Sequence, residues 1–533
     1  MGIFSFIRSR LYIPALVCAI LLSGSLVAQI PNPDAAILFD RNSIGGTART
    51  AGAGGAFSSV GADLGSMDLN PAGLGLFKSS DISITPGIHI SAGQSQYDGT
   101  STGANHTILE LAQGGAAFYI KPKHQSDRPG RYSLRSITIG INYQTDNSFD
   151  RNQSFGAYNQ SHSLVDNYAY VSNQQQTNQW SLESYLFSLA GILGPANANG
   201  TYSSNVKAPV QQAGSLDTRG GVQHISLGLG GNMGDKIFFG FSLGIPILNY
   251  SVNTQMSESN ANPNDTITHF QNYSLSSNVS ESGVGLTGKA GLIYKPVDWM
   301  RFGISYSLPT WYFLSENYNS DLIYSFDTIQ PTEIGPGSIP EYNYRLRTPM
   351  KGTVGASFYL NEHGFISVDY ELQNLGSTHY DFTDTTRSYL NPLINSYMKS
   401  TYGYSHTVRV GIEGVIKKFR MRAGYSYANS PFKSGQNYTA GSYNASVQSA
   451  TLGMGLLFKH FYLDLAYVFS YSKDGVSPNF QIPLDQINSQ YFSHSVLLTL
   501  GFKIGHKDDT EPTKTRRRQS DELPKFIDPG DKY

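Results

Sequence analysis

Residues 461–471 read FYLDLAYVFSY. Phe461, Leu463, Leu465, Tyr467, Phe469 and Tyr471 share one face, and Asp464 and Ser470 lie on the other. Side chains of an extended chain point alternately to opposite faces, so this is a strand with one apolar side and one polar or small side. Residues 419–427, FRMRAGYSY, repeat the pattern, with Phe419, Met421, Ala423, Tyr425 and Tyr427 opposite Arg420, Arg422, Gly424 and Ser426. So do residues 299–308, where Met300, Phe302, Ile304, Tyr306 and Leu308 oppose Arg301, Gly303, Ser305 and Ser307. Such runs of about 9 to 13 residues exceed the usual 5 to 6 of a soluble sandwich strand. They suit a strand that crosses a bilayer at a tilt.

Working outward from these three, segments of the same kind begin near Ser80, Thr107, Ser133, Gly220, Lys236, Glu281, Trp299, Leu346, His363, Thr401, Lys418, Asn444, Phe461 and Tyr491. That makes roughly fourteen, an even number that returns both ends of a barrel to one side. The connections alternate in length. Met233-Gly234-Asp235, Pro296-Val297-Asp298, Asn361-Glu362, Lys417-Lys418 and Lys459-His460 are tight turns, and between them stretch 145–218, 251–280, 311–345 and 379–400. Short turns on one side and long polar loops on the other mark an outer-membrane barrel. The expected fold class is all-β, a transmembrane antiparallel β-barrel of about 14 strands. A secreted β-repeat adhesin would share the alternation but not the sorted loop lengths.

Composition agrees. Charged residues are 14% of the chain, with 55 Gly, 35 Tyr and 28 Phe, against about 25% charge in an ordinary soluble protein. The mean hydropathy is -0.27, which excludes a bundle of apolar transmembrane helices. The net charge of -1 gives no broad basic face for nucleic acid.

The one long apolar run, Leu11 to Leu22, follows Arg8 and Arg10 and precedes Leu26-Val27-Ala28. This reads as a signal peptide over residues 1–28, with a lipoprotein signal at Cys18 as the competitor. Cleavage after Ala28 removes the single cysteine. Residues 29–79 are rich in Gly, Ala and Ser with little strand pattern, residues 80–505 carry the alternation, and residues 506–533 form a tail. That tail has seven acidic and seven basic residues and reads as disordered and periplasmic.

Residues 45–77 read GGTARTAGAGGAFSSVGADLGSMDLNPAGLGLF. The small-residue run Ala48–Phe57, the Ala62-Asp63 step and Asn70-Pro71-Ala72-Gly73-Leu74 resemble the start of the FadL/TodX family of outer-membrane transporters for hydrophobic compounds. The resemblance implies that residues 29–79 are an N-terminal hatch, a plug inside a fourteen-stranded lumen, with Asn70, Pro71, Ala72 and Gly73 governing its gating. It also implies a kinked third strand that opens the wall sideways. Gly140 and Asn142 on the segment from Ser133 are the candidate kink. Read physically, Pro71 turns the chain at Asn70, and Ala72 and Gly73 permit close approach of another backbone.

Arg301, Asp369, Glu371, Arg409, Glu413, Arg420, Arg422, Asp464 and Lys503 fall on inward faces. Neighbouring segments would pair Asp369 and Glu371 with Arg409, and Glu413 with Arg420 or Arg422. The pairs read as a lumen network bracing wall and hatch, with a cationic site for a substrate carboxylate as the sharper alternative. In 145–218, the apolar run Leu182–Leu193 is expected to form a short helix. That loop either builds a vestibule for ligand or shields the mouth.

Gly52–Gly55 is not followed by Gly-Lys-Ser/Thr, and there is no G-x-S-x-G, His-Glu-x-x-His or cysteine metal pair. No enzymatic activity, metal or cofactor is therefore expected, although an outer-membrane lipase could draw a triad from separate strands. The expected function is passive, hatch-gated transport of hydrophobic small molecules such as long-chain fatty acids or aromatic hydrocarbons, by a monomer in contact with outer-membrane lipid and not with nucleic acid. The alternatives are an adhesive barrel whose outer loops bind a partner and an open porin for polar solutes.

Overall fold

The computed structural model describes residues 33–41, 43–122, 133–174, 180–261, 269–327, 329–335, 341–385, 387–433, 446–476 and 487–505. The signal segment and the charged tail lie outside the described residues. Nineteen strands form one sheet that closes on itself. They are β1 (Ser80–Tyr97), β2 (Thr100–Ile120), β3 (Leu134–Ser148), β4 (Arg151–Asn159), β5 (Val210–Met233), β6 (Ile237–Asn260), β7 (Phe270–Val297), β8 (Met300–Ser307), β9 (Trp311–Phe326), β10 (Ile329–Ile334), β11 (Tyr342–Arg347), β12 (Lys351–Tyr359), β13 (Gly364–Asn374), β14 (His379–Asp381), β15 (Tyr404–Ile416), β16 (Phe419–Ala428), β17 (Val447–Leu457), β18 (Phe461–Val476) and β19 (Ile487–Ile504).

Fourteen antiparallel crossings result, because β3 and β4 form one crossing, β8 and β9 another, β11 and β12 a third and β13 and β14 a fourth, while β10 pairs only with β9. Closure is made by β1 on β19, from Ser80↔Ile504 to Gln96↔Asn488. Two of the split crossings, β8 with β9 and β11 with β12, break at Pro309 and Pro349, where the missing N–H interrupts the ladder. The expected tight turns sit at one end. Gly234, Asp235, Asn361 and Lys417 take φ between 53° and 61° there, the left-handed geometry that reverses a chain in few residues.

Outward side chains in the lower part of each strand are apolar and solvent-facing in the isolated chain. Ile82, Ile84, Ile88 and Ile90 of β1 are examples, and Leu109 of β2 is 82% exposed. No described helix is long and apolar enough to cross a membrane; the crossing is made by strands, whose backbone groups pair all round the barrel.

Above this belt the pattern inverts. On β9, Trp311 and Phe313 point outward, but the next outward residues are Ser315, Asn317, Asn319 and Asp321. Tyr312, Leu314, Tyr318, Leu322 and Tyr324 point inward and are buried. The stretches expected to be long loops are thus in large part strands that project beyond the membrane. These are β4, the upper part of β5, β6 to Asn260, β7 from Phe270, and β9 with β10. They carry the outer part of the molecule. Helices α3 (Leu164–Gln174) and α4 (Leu182–Leu189) pack there, with Leu186, Phe187 and Trp180 buried against Tyr273 and Leu322. Preceding them in the chain are α1 (Ala35–Asp40) and α2 (Ala48–Gly52), inside the barrel, and α5 (Leu390–Thr401) follows.

Candidate functional site: the plugged lumen

The N-terminal segment threads the barrel from top to bottom. Its first described part, α1, lies high in the lumen, where Ile37 and Phe39 pack with Phe149, Leu248, Tyr250 and the α5 residues Ile394 and Met398. Phe39 meets Tyr250 edge-on at 5.2 Å, a geometry worth about 0.5–1.5 kcal/mol beyond area burial. Tyr397 and Tyr402 donate to Asp34 Oδ1 at 2.9 and 2.5 Å. Asp40 meets Lys351 of β12 at 3.3 Å, yet burial raises its carboxyl to about 6 against the pull of that lysine.

Below α1 the chain coils across the lumen. Thr47 caps α2 by accepting from Thr50 N. Asp63 accepts from Thr47 Oγ1 at 2.6 Å, Thr50 Oγ1 at 3.0 Å and Gly65 N at 2.9 Å. Pro71–Leu76 form a 3-10 turn capped by Asn70, whose Oδ1 accepts from Ala72 N at 3.0 Å. Asn70 Nδ2 donates to Ser58 O at 2.7 Å. Gly73 N donates to Asn70 O and Gly73 O accepts from Ala62 N, so the four motif residues lock two hatch turns together.

The wall meets this segment with glycine. Gly230, Gly240 and Gly291 are direct cross-strand partners on β5, β6 and β7. A Cβ there would strike Leu74, Pro71 O and Asn70 Oδ1 respectively. Across the lumen, Gly411 and Gly424 pair on β15 and β16 and face Ala53 and Gly54 in the same way. Hatch backbone therefore lies at contact distance from wall backbone on two sides.

Charged pairs complete the attachment. Arg49 grips Glu413 of β15 through Nε and Nη2, both at 3.2 Å. Glu413 also accepts from Arg422 Nε at 2.6 Å and lies 3.7 Å from Arg420; Arg422 continues to Asp464 at 2.5 Å. Arg409 pairs with Glu371 at 3.2 Å. Asp369 takes a different partner from the expected one, accepting from Ser58 N and Oγ at 2.8 and 2.7 Å. Arg301 donates to Val60 O at 2.7 Å and stacks on Tyr359, and Lys503 lies over Tyr462. The network joins hatch to wall, and Arg49, Arg409, Arg420 and Arg422 each face a carboxylate, whereas Arg301 does not.

The fold has counterparts among solved structures. No family model and no curated protein matches the chain by sequence. Among solved structures it is similar to a FadL homologue of Pseudomonas aeruginosa, at 13% identity and a TM-score of 0.51, over 87% of this chain and 99% of that one. It is equally similar to the toluene transporter TodX of P. putida, at 13% identity and a TM-score of 0.50, over 87% and 100% of the two chains. The chain has the FadL/TodX fold. With its closed ladder and lipid-facing belt, it is a barrel of the Gram-negative outer membrane.

Within this FadL/TodX fold the third crossing needs correction. β3 keeps its ladder to β2 without interruption from Ile137↔Ile120 to Gln144↔Gln113, so Gly140 and Asn142 do not kink the wall. Gly140 instead makes room for Met67 and Leu74 of the hatch, and Asn142 joins Gln113 at 2.9 Å to Asp68 at 2.7 Å. The irregularities lie towards its two ends, at Leu134–Ser136 below and at Thr145–Asn147 above. There β3 parts from β2, and β4 crosses inside β1, with Phe155 edge-on to Tyr97 at 5.1 Å.

Above the hatch is a cavity of ≈ 320 Å³. Its lining includes α1, Thr145–Arg151, His224, Lys289 and Lys351, with inward residues of most strands. None of its lining comes from 152–221, so the predicted helix forms as α4, packs in the outer part of the molecule and does not line this cavity. Sequence reasoning missed Asp40, His224, Lys289 and Lys351. Among the described residues no group of metal-ligating side chains is present.

Proposed function

We propose that this chain is a passive, monomeric conduit for hydrophobic small molecules, gated by its hatch and without a catalytic step. The observation that carries the reading is the cavity seated directly on the hatch, with Phe39, Phe149, Val222 and Leu375 in its lining. Apolar side chains in a chamber of this size bind apolar ligands by removing them from water. The fold it shares with a protein described as a toluene transporter supports the same reading.

A sideways exit is part of the proposal, at a different place from Gly140. Above Gln113, β2 pairs with β1 alone among the described strands. The cavity lining includes Glu110 and Ala112 on one side of this seam and Thr145–Ser148 on the other. Ligand would pass between these edges into the surrounding lipid, while the hatch holds the floor closed.

Uptake tests the reading. Proteoliposomes carrying the protein should take up labelled long-chain fatty acid or toluene faster than liposomes carrying an unrelated barrel. Asn70→Ala removes two buried bonds, each worth about 1 kcal/mol, and should slow uptake at least about fivefold while the barrel stays folded. Uptake equal to that of the control liposomes would sink the transport reading, and an unchanged Asn70→Ala rate would sink the gating role.

A further inference from the structure

We infer that the lumen ligand is an amphiphile carrying several hydroxyl groups along one side of an apolar body. This rests on the transport reading and narrows it to a substrate class. Ser426, Ser449, Ser470, Ser493 and Ser91 stand on five successive strands, β16, β17, β18, β19 and β1. Each is the direct cross-strand partner of the next. All five line the cavity. Neighbouring strands lie about 4.8 Å apart, so the hydroxyls form one curved rung around this side of the lumen. Away from the rung the lining includes Phe39, Phe149, Val222 and Leu375, which belong to one apolar cluster. The chamber therefore has two unlike faces.

The rung has bonding capacity to spare. Ser449 and Ser470 share one bond at 2.8 Å, which leaves each oxygen room for a further partner, since a hydroxyl offers one donor and two acceptor positions. Ser91 is only 6% exposed, and its Oγ makes no hydrogen bond within the described protein. A hydroxyl stripped of water without a full set of partners costs free energy, and a ligand hydroxyl that reaches Ser449 or Ser470 recovers it. A purely apolar ligand would strip water from the rung and return nothing. An open chain of hydroxyls without an apolar body would leave the phenylalanine face wet. A molecule with both faces satisfies both walls at once.

The steroid acids 5β-cholanate, lithocholate, deoxycholate and cholate test this, since they share one skeleton and one carboxylate and carry none, one, two and three ring hydroxyls. Binding is measured calorimetrically below micelle formation, with the full protein in nanodiscs, empty nanodiscs as blank and laurate as a plain apolar acid. Affinity should rise along the series, by about tenfold or more from cholanate to cholate, as one to two net hydrogen bonds predict. The double variant Ser449→Ala with Ser470→Ala, checked for folding by its heat-dependent gel shift, should lose most of that preference and bind cholanate within about twofold of the parent. Affinity that is flat or falls along the series, or a preference that survives the double variant, overturns the inference. Laurate binding in either of those cases leaves the transport reading standing. Failure of laurate and all four steroids to bind takes both down.

Discussion

Asp40 is where a single titration reaches the hatch. Its carboxyl is raised to about 6 by burial when α1 is docked, against about 3.9 in a free chain. The docked state thus holds its proton more tightly than the released one. By linkage, docking is strongest below the free value and weakens as pH rises towards about 6, staying weaker above it. Amide protection of residues 35–40, corrected for intrinsic exchange, should be greater at pH 5 than at pH 8, and Asp40→Asn should flatten that difference. Equal protection at both pH values would remove Asp40 as the controlling group. Nothing in the sequence around Asp40 announced this role, because its partner Lys351 lies 311 positions away. Asn70 was legible for the opposite reason. Its cap bond to Ala72 spans two residues, and a proline next to it marks the turn locally.

The strands were legible wherever their outer face is greasy, and misread where it is not. Each run of the belt displays its apolar side chains at every second position, so residues 419–427 disclosed β16 almost whole and residues 461–471 disclosed the lower part of β18. On β9 and the outer half of β7 the alternation continues, but the apolar residues are spaced among Ser, Asn and Asp and point inward. A polar average then reads as a loop although the period of two persists. The glycine rows escaped notice too, because Gly230, Gly240 and Gly291 become neighbours only when three strands pair. Their role is testable. A valine at Gly240 must displace Pro71, a steric conflict of the kind that costs about 1–3 kcal/mol. Gly240→Val should raise steady conductance in planar bilayers well above the parent's while β content by circular dichroism is kept. Gly414→Val is the control, since a Cβ at Gly414 meets nothing within 4 Å. Parent-like conductance in Gly240→Val would mean that the hatch tolerates the intrusion and is not seated by backbone contact.

Whole-molecule stability divides between a barrel closed by its own ladder and a plug held by its docking to that wall. The wall is a closed ladder from β1 round to β19. The hatch has short helical turns and relies on docking, and one anchor is Glu413, which holds Arg49 from the hatch and Arg422 from the wall. Removing one member of a buried ionic cluster leaves the others without compensation, at about 3–5 kcal/mol. Glu413→Gln should therefore release the hatch before the barrel unfolds. On heating, amide exchange across residues 47–77 should reach its unprotected rate at a temperature where the compact gel band of the barrel persists. In the parent the two events should lie closer together. If Glu413→Gln loses hatch protection and the compact band in a single step, the hatch is part of the barrel's cooperative core. A gate that moves while the wall stands would then have no physical basis in this chain.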